Sequence, residues 1–384
     1  LLIHSIWLRA FIHLPTLDFG VYNDAFGLAM VLPLSFPQPV PMARELHPLS
    51  AAQPPFFVGI DVGGTNIKCG VVDDCGRILG FETVKSKIKK GPEEGARRMA
   101  DAARKAVEQA GLTMDQIAHI GLATPGTMDI AKGVMLDPPN LPGWVNFPIR
   151  DRVSHHSGRP VAYANDANAA AYGEFWVGSA SKYSSMVMLT LGTGVGGGII
   201  IDEHMIDGEN SHGGECGHMI IDSSEDARLC ACGHRGHLEA YTSATGVVLR
   251  TEEALATGRK SVLNDIPTDE EPLTALNVHQ AAEQSDDLAM EIVMDTARYL
   301  AIGITSILHA IDPAAIVLGG AMNFGGRDNT VGSRFLDTID EQVRIRALPV
   351  IAQRITIDFA SLGGDAGYIG AAGVGRLASI KANS

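Results

Sequence analysis

Basic charge is scarce in this sequence: 30 Lys and Arg stand against 44 Asp and Glu, for a formal net charge of −14. A protein that tracks a nucleic-acid backbone concentrates Lys and Arg on one face, so this balance argues against such a partner. It leaves room for a bound nucleotide, which backbone N–H groups, a metal ion and a few cations suffice to hold. Long apolar runs are missing as well. No stretch reaches the ~18 consecutive apolar residues that a membrane span requires. The apolar N-terminus lacks the basic cluster and cleavage pattern of a secretory leader. Cysteine is sparse and odd in number, with Cys69, Cys75, Cys216, Cys230 and Cys232. Without the even framework of a disulfide-stapled domain, a reducing cytoplasm is the expected location. Lysine is absent from the first 55 residues, where only Arg9 and Arg44 carry basic charge and prolines recur from Pro33 to Pro55. Residues 1–55 are therefore expected to form a poorly structured extension. Met42, a short way before the first strand, is a candidate natural start.

What the sequence has in quantity is glycine, at 43 positions, within a composition that is 46% hydrophobic and 19% charged. This describes a soluble globular protein rich in tight backbone turns. At 384 residues the chain exceeds one ordinary core, and a prior of roughly 100 to 200 residues per domain suggests two or three units.

From Phe56 the pattern becomes regular. FFVGID, IKCGVV and a third apolar run, separated by a glycine turn and the polar turn Asp73 to Gly76, predict a β-meander. The segment 92–111 opens on Pro and acids, keeps apolar residues at helical spacing and stops at Gly, as a capped helix does. IAHIGLA and VAYAN read as short buried strands, and a helix is expected over Asp166 to Phe175. The stretch SSMVMLTLGTGVGGGIIID repeats the strand, Gly/Thr turn and strand of FFVGIDVGGTNIKCGVV, which implies a structural duplication. A long helix over Asp287 to Ala310, strands AIVLGG and ITIDFA, and a closing helix from Ala366 complete an alternation that predicts α/β layers.

Four groups of residues carry candidate chemistry. In Asp61-Val62-Gly63-Gly64-Thr65 two glycines let the backbone approach a phosphate, Thr65 supplies a hydroxyl, and Asp61 suits a water bound to Mg²⁺. A hairpin whose glycines merely supply positive φ is the alternative. The run Gly192-Thr193-Gly194 within LGTGVGGG lies between two strands and opens no helix, which excludes a dinucleotide-binding turn and favours a second phosphate-cradling hairpin. Asn165-Asp166 ends a strand and begins a helix, a natural place for cleft residues. Asp166 there is either an N-cap or the carboxylate that deprotonates an attacking hydroxyl in phosphoryl transfer. Finally, His218, Cys230, Cys232 and His237 offer two imidazoles and two thiolates, a closed tetrahedral set for structural Zn²⁺. Glu215 and Glu239 flank this cluster and are candidates to accept hydrogen bonds from hydroxyl groups.

With these residues assembled, the chain resembles the ROK family, most closely its bacterial glucokinases, over about Phe57 to Leu377. The resemblance rests on DVGGTNIK at 61–68, ATPGTMD at 123–129, PNLPGW at 139–144, NDANAAAYGE at 165–174, LGTGVGGG at 191–198, GGECGH at 213–218 and CACGHRGHLE at 230–239. It implies the two-lobed actin-like ATPase fold (ribonuclease H-like, hexokinase-type) with duplicated phosphate hairpins. The smaller lobe is expected over 56–178 plus 366–384, and the larger, carrying the zinc site, over 179–365. The implied activity is ATP-dependent phosphorylation of a hexose, glucose favoured, in a homodimer. Asp166 is the implied general base, and Asn140, Asn165, Glu215, His218 and Glu239 are the implied sugar contacts. Asp61, Gly63, Gly64, Thr65, Lys68, Gly192, Thr193, Gly194, Gly319 and Gly320 fall on the nucleotide side. Where the family usually has a third cysteine this chain has His237, which changes a site of net −1 to a neutral one, with His234 as the reserve ligand. Kinases for other hexoses or N-acetylhexosamines are the neighbouring alternatives. So are sugar-responsive repressors of the family, which carry a helix-turn-helix ahead of the first hairpin, where residues 1–55 offer neither Lys nor an uninterrupted recognition helix.

Overall fold

The computed structural model describes residues 45–138, 141–266 and 272–383. Most of the expected N-terminal extension, 1–44, lies outside them. Its remainder does not behave as an extension: His47 donates its N–H to the Ile78 carbonyl at 2.8 Å, and Gln53 donates to Asp73 and accepts from Asp74, both at 2.9 Å. Residues 45–55 thus run along the first sheet.

That sheet begins with β1 (Phe56–Val62), β2 (Asn66–Val72) and β3 (Ile78–Lys85), the expected meander, each strand antiparallel to the next. Helix α1 (Pro92–Gln109) has Pro in its first turn beside Glu93 and Glu94, and buries Ala96, Met99, Ala103 and Ala106 against the sheet. Then follow β4 (Ile117–Thr124), a small hairpin of β5 (Met128–Asp129) and β6 (Val134–Met135), α2 (Ile149–Ser157), β7 (Val161–Asn165) and α3 (Asp166–Trp176). β4 lies parallel to β1 and β7 parallel to β4, giving the order β3-β2-β1-β4-β7.

The second sheet repeats this plan. Its strands are β8 (Ser185–Leu191), β9 (Val195–Ile201), β10 (His204–Met205), β11 (Ala315–Gly319) and β12 (Thr356–Phe359), in the order β10-β9-β8-β11-β12. The hairpin pairs are antiparallel and the last two pairings parallel, as in the first sheet. The duplication expected from the two glycine hairpins therefore extends to whole five-stranded sheets. Around the second sheet lie α4 (Leu238–Thr242), α5 (Ala244–Ala256), α6 (Ala275–Glu283), α7 (Asp287–Ile311), α8 (Thr330–Arg346) and α9 (Pro349–Ala352), and the chain closes with α10 (Ala366–Asn383). Two main cores result, one containing Ile60, Met99, Leu122 and Trp144, the other Leu189, Leu300, Ile304 and Phe335.

Helices α10 and α3 are stacked between the sheets, and glycines permit the approach. A Cβ on Gly121 of β4 would lie 1.6 Å from the Ala371 carbonyl oxygen, one on Gly370 of α10 would lie 1.6 Å from that of Ala169, and one on Gly198 of β9 would lie 2.4 Å from the Ala171 Cβ. Backbone meets backbone at the first two crossings, so no side-chain rotation relieves the clash. Gly121→Ala is expected to destabilise the protein by about 2 kcal/mol or more through overpacking, read as a lower denaturant midpoint. Among the described residues no helix is long and apolar enough to cross a membrane.

Candidate functional site

The start of α3 is set by Asn165, whose Oδ1 accepts from the N–H groups of Ala167 at 2.9 Å and Asn168 at 3.3 Å. The N-cap is thus Asn165, and Asp166 is the first helical residue. Its carboxylate is free of the capping duty that the sequence left open, although Oδ1 still accepts from the Ala167 N–H at 2.8 Å. Asp166 lines a cleft of about 410 Å³. Burial pushes its carboxyl up to about 6, and the nearby charges of Asp61 and Glu215 push the same way against the Ala167 hydrogen bond. Asp61 is itself raised by burial, with Lys68 opposing. It sits against the first turn of α10, since a Cβ on Gly367 would be 2.6 Å from its Oδ2.

The second hairpin forms another wall of the same cleft through Gly192 and Gly194. Gly192 N–H donates to the Gly194 carbonyl at 3.0 Å, closing the turn. Next to it the Val195 N–H donates to Glu239 Oε2 at 2.9 Å. A Cβ on Gly194 would stand 2.4 Å from that oxygen, so this position needs glycine for Glu239 to reach the hairpin. Gly320, at φ +91, presses on the backbone of Leu191 and also lines the cleft. Gly319, behind it, contacts Met188. Thr193 offers its carbonyl to the Thr245 hydroxyl at 3.0 Å.

Gly319, Thr193 and the first hairpin are outside the cleft lining. Gly63 closes the β1–β2 turn on the Asn66 carbonyl at 2.9 Å, while Gly64 and Thr65 are exposed. Lys68 donates to the Gly364 carbonyl at 2.8 Å, which ties β2 to the turn before α10. Asn140 lies outside the described residues. The lining does take in Asn165, Glu215, His218 and Glu239. It also includes Thr127 and Ser211, to which the sequence assigned no role. Ser211 Oγ accepts from the Ile130 N–H at 3.0 Å, bringing together residues 81 positions apart. Thr127 falls inside ATPGTMD, so its motif was visible even though its position in the cleft was not.

Behind Glu239 and His218 the four expected metal ligands converge. One ligand atom from each of His218, Cys230, Cys232 and His237 lies within 4.8 Å of all the others. The two Nδ1 atoms are 3.2 Å apart, Cys232 Sγ is 3.2 Å from His237 Nδ1, and Cys230 Sγ is 4.0 Å from His218 Nδ1. Ligand atoms on a tetrahedral Zn²⁺, with bonds of about 2.0 to 2.3 Å, stand roughly 3.3 to 3.8 Å apart, so the donor set fits that ion in number and type, and its spacings bracket that range. His234 is not in this set. Its carbonyl accepts from the Cys230 N–H at 2.8 Å, fixing it in the tight turn while its ring centre lies 6.0 Å from that of His237. His218 turns Nδ1 to the cluster and holds Nε2 3.8 Å from Glu215 Oε2. Glu239 accepts from Cys230 Sγ at 3.3 Å. One carboxylate therefore joins the cluster to the second hairpin.

Residues 57–376 match the model of the ROK family. The chain belongs to that family. A glucokinase of Halalkalibacterium halodurans is 34% identical over 82% of this chain and 93% of its own length. A xylose repressor of Caldicellulosiruptor bescii is 28% identical over 80% of this chain and 74% of its own. Among solved structures, a ROK family glucokinase from Streptomyces griseus, in complex with glucose and AMPPNP, aligns with a TM-score of 0.68 and 31% identity, covering 84% of this chain and 99% of that one. The two-lobed sugar-kinase fold expected from the ROK motifs is thus the fold observed.

Proposed function

We propose that this ROK chain transfers the γ-phosphoryl group of ATP to a hexose, glucose before others, giving the hexose 6-phosphate. The observation that carries the proposal is the placement of Asp166 in one cleft with Glu215, His218, Glu239 and the glycines of the second hairpin. The carboxylates and amide of Asn165, Glu215 and Glu239, the imidazole of His218 and, from its motif, Asn140 would orient the sugar hydroxyls. Asp166 would take the proton of the attacking hydroxyl as its oxygen bonds to phosphorus and ADP leaves. The nucleotide would lie along Gly192, Thr193, Gly194, Gly319 and Gly320, with Gly63, Gly64, Thr65 and Lys68 facing it from the lobe of 56–178 plus 366–384 when that lobe closes on 179–365. Mg²⁺ would neutralise charge on the β- and γ-phosphates, and Asp61 would hold one of its waters. Zn²⁺ held by His218, Cys230, Cys232 and His237 would fix the ring of His218 against the sugar and take no part at phosphorus. We assign the protein to the cytoplasm as a homodimer. A net charge of −14 favours the kinase over a DNA-binding repressor.

A pH dependence follows from Asp166. Its raised carboxyl, at about 6, must be ionised to accept a proton, so kcat/KM should be complete above that value and fall about tenfold per unit of pH below it. The profile of kcat/KM with saturating ATP checks this, and a flat profile down to about pH 5 would exclude Asp166 as the base. The reading as a whole is tested by ADP release over a panel of hexoses with and without Mg²⁺. Turnover should require both a hexose and the metal; silence on every hexose, together with specific operator binding, would move the protein to the repressor branch.

A further inference from the structure

Between its two sheets the chain crosses twice, over 177–184 from α3 to β8 and over 360–365 from β12 to α10. Both crossings hang from one side chain. Glu174, in the last turn of α3, is fully buried at 0% exposure. Its Oε2 accepts from the Ser179 N–H at 2.8 Å, the Ser179 hydroxyl at 3.0 Å and the Ser361 hydroxyl at 3.0 Å, while Oε1 accepts from the Leu362 N–H at 2.7 Å. Four neutral donors thus occupy the acceptor sites of one carboxylate, two from each crossing. The main chain of Glu174 joins in, its carbonyl accepting from Gly178 at 3.1 Å and Ala180 at 3.0 Å. The fit is tight on this side, since a Cβ on Gly178 would be 2.1 Å from Oε2.

The position of this clasp gives it mechanical meaning. α3 begins at Asp166 in the cleft and reaches Glu174 eight residues later, about 12 Å along the axis. The crossing that Glu174 holds through Leu362 leads directly into α10, whose first turn packs on Asp61. We propose that Glu174 is the positioning residue of the interlobe hinge: it locks the two crossings together so that they turn as one, and thereby sets where α3 carries Asp166 when the lobes close. This rests on the kinase reading above. Glu174 lies outside the cleft lining, so its effect must pass through geometry and not through contact with substrate.

The test is Glu174→Gln in the full-length protein. The amide keeps the shape but turns an N–H₂ group toward donors, which breaks at least one crossing from the clasp. A misplacement of catalytic groups by about 1 Å costs up to about 10²-fold in rate. The expected result is therefore a kcat lowered about 10- to 100-fold, with KM for hexose and for ATP nearly unchanged. Amide hydrogen exchange should quicken at Ser179 and Leu362 while β1 and β8 stay protected. The double variant Ser179→Ala with Ser361→Ala, which keeps the carboxylate and both backbone donors, should show the same split more weakly and covers the case in which the first variant does not fold. An unchanged kcat alongside quickened exchange would overturn the proposal, as would exchange rising equally in β1 and β8, which would reduce Glu174 to general stability. A wild type inactive on every hexose would overturn the kinase reading instead, and the exchange measurements would still decide whether the clasp exists.

Discussion

Replacing Asp166 by asparagine is expected to lower kcat by about 10²- to 10⁴-fold while leaving hexose affinity close to that of the wild type. The amide has the size and hydrogen-bonding reach of the carboxyl, and Asn165 independently caps α3 through Ala167 and Asn168. The helix start should therefore survive. What is lost is the ability to accept a proton, the one task that needs the ionised carboxylate. The loss should fall on kcat and kcat/KM equally, as it does for an interaction made only in the transition state. Steady-state kinetics beside calorimetric hexose binding separate the two, and near wild-type kcat in Asp166→Asn would place the base elsewhere.

The second large effect concerns the metal. His237→Ala opens one of four coordination positions, and zinc should then leave to a chelator at least about 10-fold faster. The KM for hexose should rise with it, because His218 loses the anchor that orients its ring. His237→Cys restores the ligand type usual in the family and should retain zinc and activity. His234→Ala should do neither harm, since the His234 ring stands outside the set and its structural contact is made by its backbone carbonyl. Metal content per subunit during a chelator time course provides the comparison. Faster loss in His234→Ala alone would refute the assignment of His237.

Much of this architecture is legible in the sequence because the signals are local. FFVGIDV and IKCGVV are continuous apolar runs broken by a glycine turn, and the repeat of that pattern at 185–201 foretells a second sheet of the same plan. The helix after VAYAN is visible at its very start. Other features depend on contacts between distant residues. Gly59, Gly121 and Gly370 look like ordinary strand and helix glycines until α10 is found resting on β1, β4 and α3. The contact of Ser211 with Ile130 and the gathering of both crossings on Glu174 span tens to nearly two hundred residues. The sequence favours His237 with His234 in reserve, and the structure gathers His237 with the other three donors while the turn at Cys230 to His234 holds His234 by its backbone carbonyl. α8 is a different case: Val331, Phe335, Leu336, Ile339 and Val343 are buried at helical spacing behind the Asn329 cap. That helix is not among the elements expected from the sequence, where the glycine-rich, polar entry GGRDNT obscures its start. The same local rule that located Asp166 hid its role, since a carboxylate at a strand-to-helix junction is a good cap as well as a good base. The structure gives the cap to its neighbour Asn165, which leaves the carboxylate available for the proposed proton transfer.

The most direct test of the central claim is phosphorus NMR of purified protein with MgATP and glucose. The account predicts that the γ-phosphate signal is replaced stoichiometrically by ADP and a phosphate ester at the C6 hydroxyl, and that Asp166→Asn under the same conditions leaves ATP almost unconsumed. Conversion of ATP to ADP and free inorganic phosphate, with no ester on glucose or on any other hexose tried, would contradict it.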